Sequence, residues 1–146
     1  MKIMIRNLML TMAGVLALLP AVARQGTSAG TPEIVFEETS CDFGEVSRRG
    51  DDPVHVFRFR NEGTAPAVIT RVVTTCTCVK VHHPRRPVEA GGEGEIRVTY
   101  EARKGEPGSF HRVVQIYTNA PDGRHTLVVQ GTASDRRERR SEIKNR

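Results

Sequence analysis

The chain has 146 residues, of which 38% are hydrophobic and 27% charged, room for one modest domain with one core and too little for two. Thirteen Gly and eight Pro imply many turns, while five Phe, two Tyr and no Trp argue against a module that grips its ligand mainly by aromatic stacking. The formal net charge of +5 would suggest nucleic acid or an anionic membrane, but residues 24–134 hold 14 basic and 14 acidic side chains, so the excess lies at the two ends and no nucleic-acid partner is expected.

Residues 1–23 read as a secretory signal peptide: Lys2 and Arg6, an apolar run from Leu8 to Leu19, Pro20, and the small-x-small site Ala21-Val22-Ala23. The run falls short of the roughly 20 apolar residues that span a bilayer, so no transmembrane anchor is expected after cleavage. No Cys follows closely enough to carry a lipid. Residues 24–33 are small and polar and predict a flexible lead-in.

From residue 34 to 134, short apolar stretches alternate with turn signals at the spacing of a β-sandwich. Strands are predicted at Ile34 to Glu37, at Cys41 to Val46, and at Val54 to Asn61, with Phe57 and Phe59 on one face and Arg58 and Arg60 on the solvated one. Pro66 to Val81 follows, with a break near Arg71 where the pattern changes face. Glu95 to Glu101 turns Ile96, Val98 and Tyr100 inward, Arg112 to Thr118 does so with Val114 and Ile116, and His125 to Gly131 with Leu127 and Val129. Asp42-Phe43-Gly44 suits a strand crossing between sheets, and Asn61-Glu62-Gly63 a strand end with a tight turn. No stretch before the tail sustains a helical period, so the fold class is all-β: an immunoglobulin-like antiparallel sandwich of about seven strands. Residues 135–146, with a net charge of +3, read as a charged, disordered tail.

The ordered set Phe36, Asp42-Phe43-Gly44-x-Val46, Phe57-x-Phe59-x-Asn61-x-Gly63, Pro66-x-Val68-Ile69, Val72, Cys76-x-Cys78, Gly94-x-Ile96-x-Val98-x-Tyr100, Gly108-x-Phe110, Thr118-Asn119 and Leu127-x-Val129-x-Gly131 resembles the exported bacterial family called domain of unknown function 1573. That family is similar to the wider group of major-sperm-protein and pilus-chaperone-like domains, which mostly bind other proteins. The resemblance implies a fold and an exported location, in the periplasm, the cell envelope or the medium. It implies no reaction.

The cysteines are the residues whose chemistry could exceed the scaffold. In a regular strand Cys76 and Cys78 would stand about 6.6 Å apart at Cα, wide of the roughly 5.5 Å that disulfides favour. An internal bridge would need a bulge, whereas Cys41 offers a partner on another strand. Both pairings stay open, and an odd count leaves one thiol over. The resembled family usually reads Ser-Cys-Gly-Cys-Thr where this chain has Thr75-Cys76-Thr77-Cys78-Val79, and loss of the Gly counts against the internal bridge. Cys76 and Cys78, with His82, His83 and Cys41, are also the candidates for a soft-metal site, although C-x-C is not a recognised zinc spacing and Arg85 and Arg86 would repel a cation. His55, His111 and His125 fall on different strands and are expected to face water.

No G-x-S-x-G, G-x-x-x-x-G-K or H-E-x-x-H motif occurs, and Gly91-Gly92-Glu93-Gly94 precedes a strand and carries an acid, wrong for cradling phosphate. No enzymatic activity and no cofactor are expected. The reading is an exported module that binds another protein or an envelope component through a sheet edge or end loops. Its competitor is a small thiol-redox or soft-metal-binding protein built on Cys76 and Cys78.

Overall fold

The computed structural model describes residues 30–135; the expected signal peptide and all but the first residue of the charged tail lie outside them. Eight strands form: β1 (Ile34–Phe36), β2 (Ser40–Ser47), β3 (Val54–Asn61), β4 (Ile69–Thr74), β5 (Val79–His82), β6 (Glu93–Tyr100), β7 (Gly108–Thr118) and β8 (Arg124–Ser134), with one 3-10 turn at Ala102–Lys104. They make two four-stranded sheets, ordered β1-β3-β6-β5 and β2-β8-β7-β4. All pairings are antiparallel except that of β2 with β8, which is parallel and departs from the wholly antiparallel sandwich expected.

The period of two explains the core. Phe57 and Phe59 of β3 and Ile96, Val98 and Tyr100 of β6 face Val114 and Ile116 of β7 and Leu127 and Val129 of β8, all essentially fully buried. Each such side chain contributes about 1.5–3 kcal/mol by leaving water. Tyr100 stacks on Phe110 with ring centres 3.9 Å apart. Gly94 is bare because the Phe59 ring occupies the space its Cβ would need.

Sheet changes occur at places other than those expected from the motifs. Among the described residues the chain changes sheet in every link except β5–β6 and β7–β8; its edge-to-edge crossings are residues 37–39, between β1 and β2, and residues 75–78, between β4 and β5. The break expected near Arg71 is instead a bulge between Ile69 and Arg71 within β4, so one predicted stretch divides later and the strand count becomes eight. Asp42-Phe43-Gly44 is likewise a bulge inside β2: Gly44 takes φ +65° and its N–H donates to Asp42 Oδ1 at 2.7 Å. Bulge and crossing share one local signature, a carboxylate beside a residue free to take positive φ, which is why the sequence does not separate them.

Asn61 is the buried polar side chain of the core. Its Oδ1 accepts from the Glu33 N–H at 3.2 Å and the Gly63 N–H at 3.1 Å, and its Nδ2 donates to the Ala65 and Val88 carbonyls at 2.8 and 2.9 Å. Three loops are tied to one amide. The lead-in, expected to run free to Glu33, is therefore pinned from Thr31, whose carbonyl also accepts from the Thr64 N–H at 2.8 Å. At the other end Asp135 pairs with Arg48 at 2.8 Å, so the order of the domain reaches one residue into the expected tail.

Asn61→Ala leaves two backbone N–H groups and the Ala65 carbonyl without their partner, while the Val88 carbonyl keeps the Ala67 N–H, and should cost about 3 kcal/mol. Asn61→Asp should also destabilise at neutral pH, because a carboxylate oxygen would face the two carbonyls. Urea unfolding midpoints of the three proteins check both; a loss under about 1 kcal/mol would show that water replaces the amide.

Candidate functional site

The crossing between β4 and β5 carries Cys76 and Cys78. It is a turn rather than continued strand: the Cys76 carbonyl accepts from the Val79 N–H at 3.2 Å and the Thr74 hydroxyl at 3.1 Å, and the Cys78 carbonyl accepts from the Glu101 N–H at 2.7 Å. Curling brings the two Cα atoms to 5.1 Å, inside disulfide range, and Cys76 and Cys78 are bonded to each other. Among the described residues positive φ occurs only at glycines, so Thr77 makes the bend with ordinary backbone angles. The missing Gly is therefore no obstacle to the internal bridge, contrary to the expectation from sequence.

Cys41 stays a free thiol. It lies on β2 and the crossing leaves β4, the opposite edges of one sheet, so three strand spacings of roughly 4.8 Å separate them and neither pairing with Cys41 is within reach. Burial, reinforced by Glu38 and Asp42, raises the pKa of the Cys41 thiol. The candidate metal ligands are not gathered either. His82 projects from the outer side of β5 opposite Arg97, the His83 ring contacts the Pro84 carbonyl at 3.0 Å, and among the described residues no three His, Cys, Asp or Glu side chains converge. His82 and His83 line an open groove with Val54, Pro84, Glu95, Arg97 and Thr99. Of the remaining histidines, His111 is exposed as expected, but His55 packs edge-on to Phe57 and His125 against Phe36.

Glu101, an outward strand residue by its sequence pattern, sits under the turn. Its carboxylate bonds Lys104 and Lys80, each at 2.7 Å, while its N–H holds the Cys78 carbonyl. Hydrogen bonds from Lys104 and Lys80 hold its pKa below the ordinary glutamate value.

The two outer faces differ. On the sheet containing β3, Arg58 stands opposite Glu95 and Arg60 opposite Glu93, with an Arg60–Glu93 ion pair. On the other sheet the cross-strand rows are Val73-Gln115-Thr126 and Val113-Val128, with Arg71 lying over the Tyr117 ring at 4.2 Å. One face is a charge ladder; the other is largely uncharged. At the rim of the second lies β4, an open edge whose Val73 is 38% exposed.

The model of the family described as "Protein of unknown function (DUF1573)" matches residues 34–133. The chain belongs to that family. No curated protein matches it. Among solved structures, this DUF1573 chain is similar to a protein of unknown function from Porphyromonas gingivalis (20% identity, TM-score 0.57, 70% of this chain and 46% of that one). It is also similar to the ASH / PapD-like domain of human CEP192 (12% identity, TM-score 0.59, 73% and 89%) and to the periplasmic chaperone SfaE (9% identity, TM-score 0.52, 70% and 58%). At these identities the likeness establishes the fold, a PapD-like, immunoglobulin-like sandwich. The DUF1573 chain spans less than half of the Porphyromonas protein. No helix among the described residues is long and apolar enough to cross a membrane.

A carboxylate whose pKa is lowered by folding stabilises the fold above its unfolded pKa and loses that contribution as pH falls through the folded value. Glu101→Gln should therefore lower stability at pH 7 and lower it less at pH 3, because the native protein loses this contribution as the pH falls. Denaturant midpoints of both proteins at the two pH values check this; equal losses at both would assign Glu101 a packing role.

Proposed function

We propose that this DUF1573 chain is an exported binding module that holds an extended segment of another protein along the open edge of β4. The observation that carries the reading is the contrast among the four edge strands. β1 has three residues and β5 four; β2 is bulged and carries Asp42 and Glu45. Short, bulged and charged edges resist further pairing. β4 has six residues with no Pro and no acid; its bulge lies at its start, between Ile69 and Arg71, and leaves residues 71–74 regular, with Arg71 engaged on Tyr117 and Val73 exposed beside the uncharged rows of β7 and β8. Such an edge pairs its unbonded backbone groups with an incoming strand and accepts alternate side chains on the neighbouring face.

The export signal read in residues 1–23 and the likeness to a periplasmic chaperone support the location. The absence of any G-x-S-x-G or H-E-x-x-H motif and the dispersed histidines support a binding role. The partner is a polypeptide rather than an anionic polymer, because the cations on the outer face beside this edge, Arg71 and Arg124, are confined to the single row that crosses Tyr117.

A photo-crosslinking residue placed at Val73, and separately at Arg58 on the opposite face, in the full chain expressed in cells, tests the reading. The expected result is one discrete adduct from position 73 and none from position 58, with Val73→Asp weakening capture at least tenfold while the melting temperature stays unchanged. Equal adducts from both positions, or adducts to polysaccharide or lipid alone, would overturn it.

A further inference from the structure

A disulfide that encloses a single residue is a poor staple. Its stabilisation grows with the loop it closes, and the Cys76–Cys78 bridge, at a sequence separation of two, closes almost none. The turn does not need it. The Thr74 hydroxyl and the Val79 N–H hold the Cys76 carbonyl, the Glu101 N–H holds the Cys78 carbonyl, and β4 and β5 are each paired along their length with β7 and β6. The two sulfurs would thus stay neighbours if the bond between them were broken.

The sulfurs are also unequal. Cys78 is fully buried, whereas Cys76 is partly exposed. The Cys78 N–H lies 3.1 Å from Cys76 Sγ, a backbone donor placed where it would stabilise a thiolate on Cys76. An accessible sulfur with a fixed donor, backed by a buried sulfur on a rigid frame, is the arrangement of an attacking and a resolving thiol. Cys41, three strands away, cannot scramble the pair.

We propose that Cys76 and Cys78 form a reversible thiol–disulfide exchange site that accepts two electrons from a dithiol, on a small molecule or a protein. A thiolate of the donor attacks Cys76 Sγ, an S–S bond forms between them, and the Cys76–Cys78 bond breaks. The Cys78 sulfur leaves with the electron pair and takes up the proton of the donor's second thiol. That second thiolate then attacks the donor sulfur of the mixed disulfide and releases Cys76 as a thiolate held by the Cys78 N–H. The donor ends as a disulfide, and the chain as one thiol and one thiolate. The reverse sequence passes the electrons to a disulfide-bearing protein. This assignment is independent of which partner lies along β4, since it concerns the bond and not the docking.

The test uses the full chain carrying Cys41→Ser, equilibrated in a series of glutathione redox buffers, quenched in acid, alkylated and weighed intact. The expected result is that two labels appear together as the buffer becomes reducing and vanish together on return, with oxidised and reduced melting temperatures within about 5 °C of each other. In the same background, Cys78→Ser should leave Cys76 alkylated at least roughly tenfold faster than Cys78 in Cys76→Ser. A pair that stays oxidised across the series until denaturant is added would overturn the proposal, as would equal rates for the two single thiols. If either single-cysteine variant fails to fold, the native pair's titration decides the matter alone.

Discussion

Both flanks of the sandwich are closed by chain that changes sheet within a few residues. At one flank β1 passes into β2, at the other β4 into β5, and each of these four strands is an edge. Short links force the two edges they join to lie one above the other, which sets the spacing at which Phe57, Ile96 and Val98 meet Val114, Ile116 and Leu127. The core can be filled by bare alternation of large apolar residues because the crossings have already aligned the sheets. Asn61 does for the loops at one end what the crossings do for the flanks, bonding four backbone groups from three loops.

The same constraint concentrates chemistry at one flank. A link that must turn within four residues needs carbonyls held from outside, and Thr74, Val79 and Glu101 hold them. Curling the link to meet that need places Cys76 against Cys78, and it leaves the regular, acid-free end of β4, residues 71–74, immediately before the pair. Glu101 couples the turn to Lys80 and Lys104, so charge, covalent bond and exposed edge share a few residues. The opposite flank, with β1 and the bulged, acidic β2, offers nothing comparable. A polypeptide bound along β4 would thus lie beside Cys76.

Much of the fold is legible in the order of the residues. Ile96-x-Val98-x-Tyr100 and Leu127-x-Val129 show their inward faces because a strand surrounded by turn residues has one dry side, and those side chains are buried in the folded domain. The Phe57 and Phe59 face and its solvated Arg58 and Arg60 are equally plain. Residues whose role depends on neighbours distant in sequence are not. Asn61 looks like any strand-ending amide until the Glu33, Ala65 and Val88 backbones arrive around it. Val73 looks like a second core valine beside Val72 until the bulge at Arg71 turns it outward.

Sequence alone determined the strand-rich class, the alternating core, the neutrality of the domain between charged ends, and the motif set shared with DUF1573 proteins. These rest on local patterning and composition, which need no partner to be read. Only the tertiary structure decided that β2 runs parallel to β8, that the edge-to-edge crossings fall at residues 37–39 and 75–78, and that Cys76 pairs with Cys78 while Cys41 stands alone. Each of those depends on which strands become neighbours. The period-two pattern is the same for a strand at either edge of either sheet, and a cysteine's reach is set by strand order rather than by its spacing in the chain.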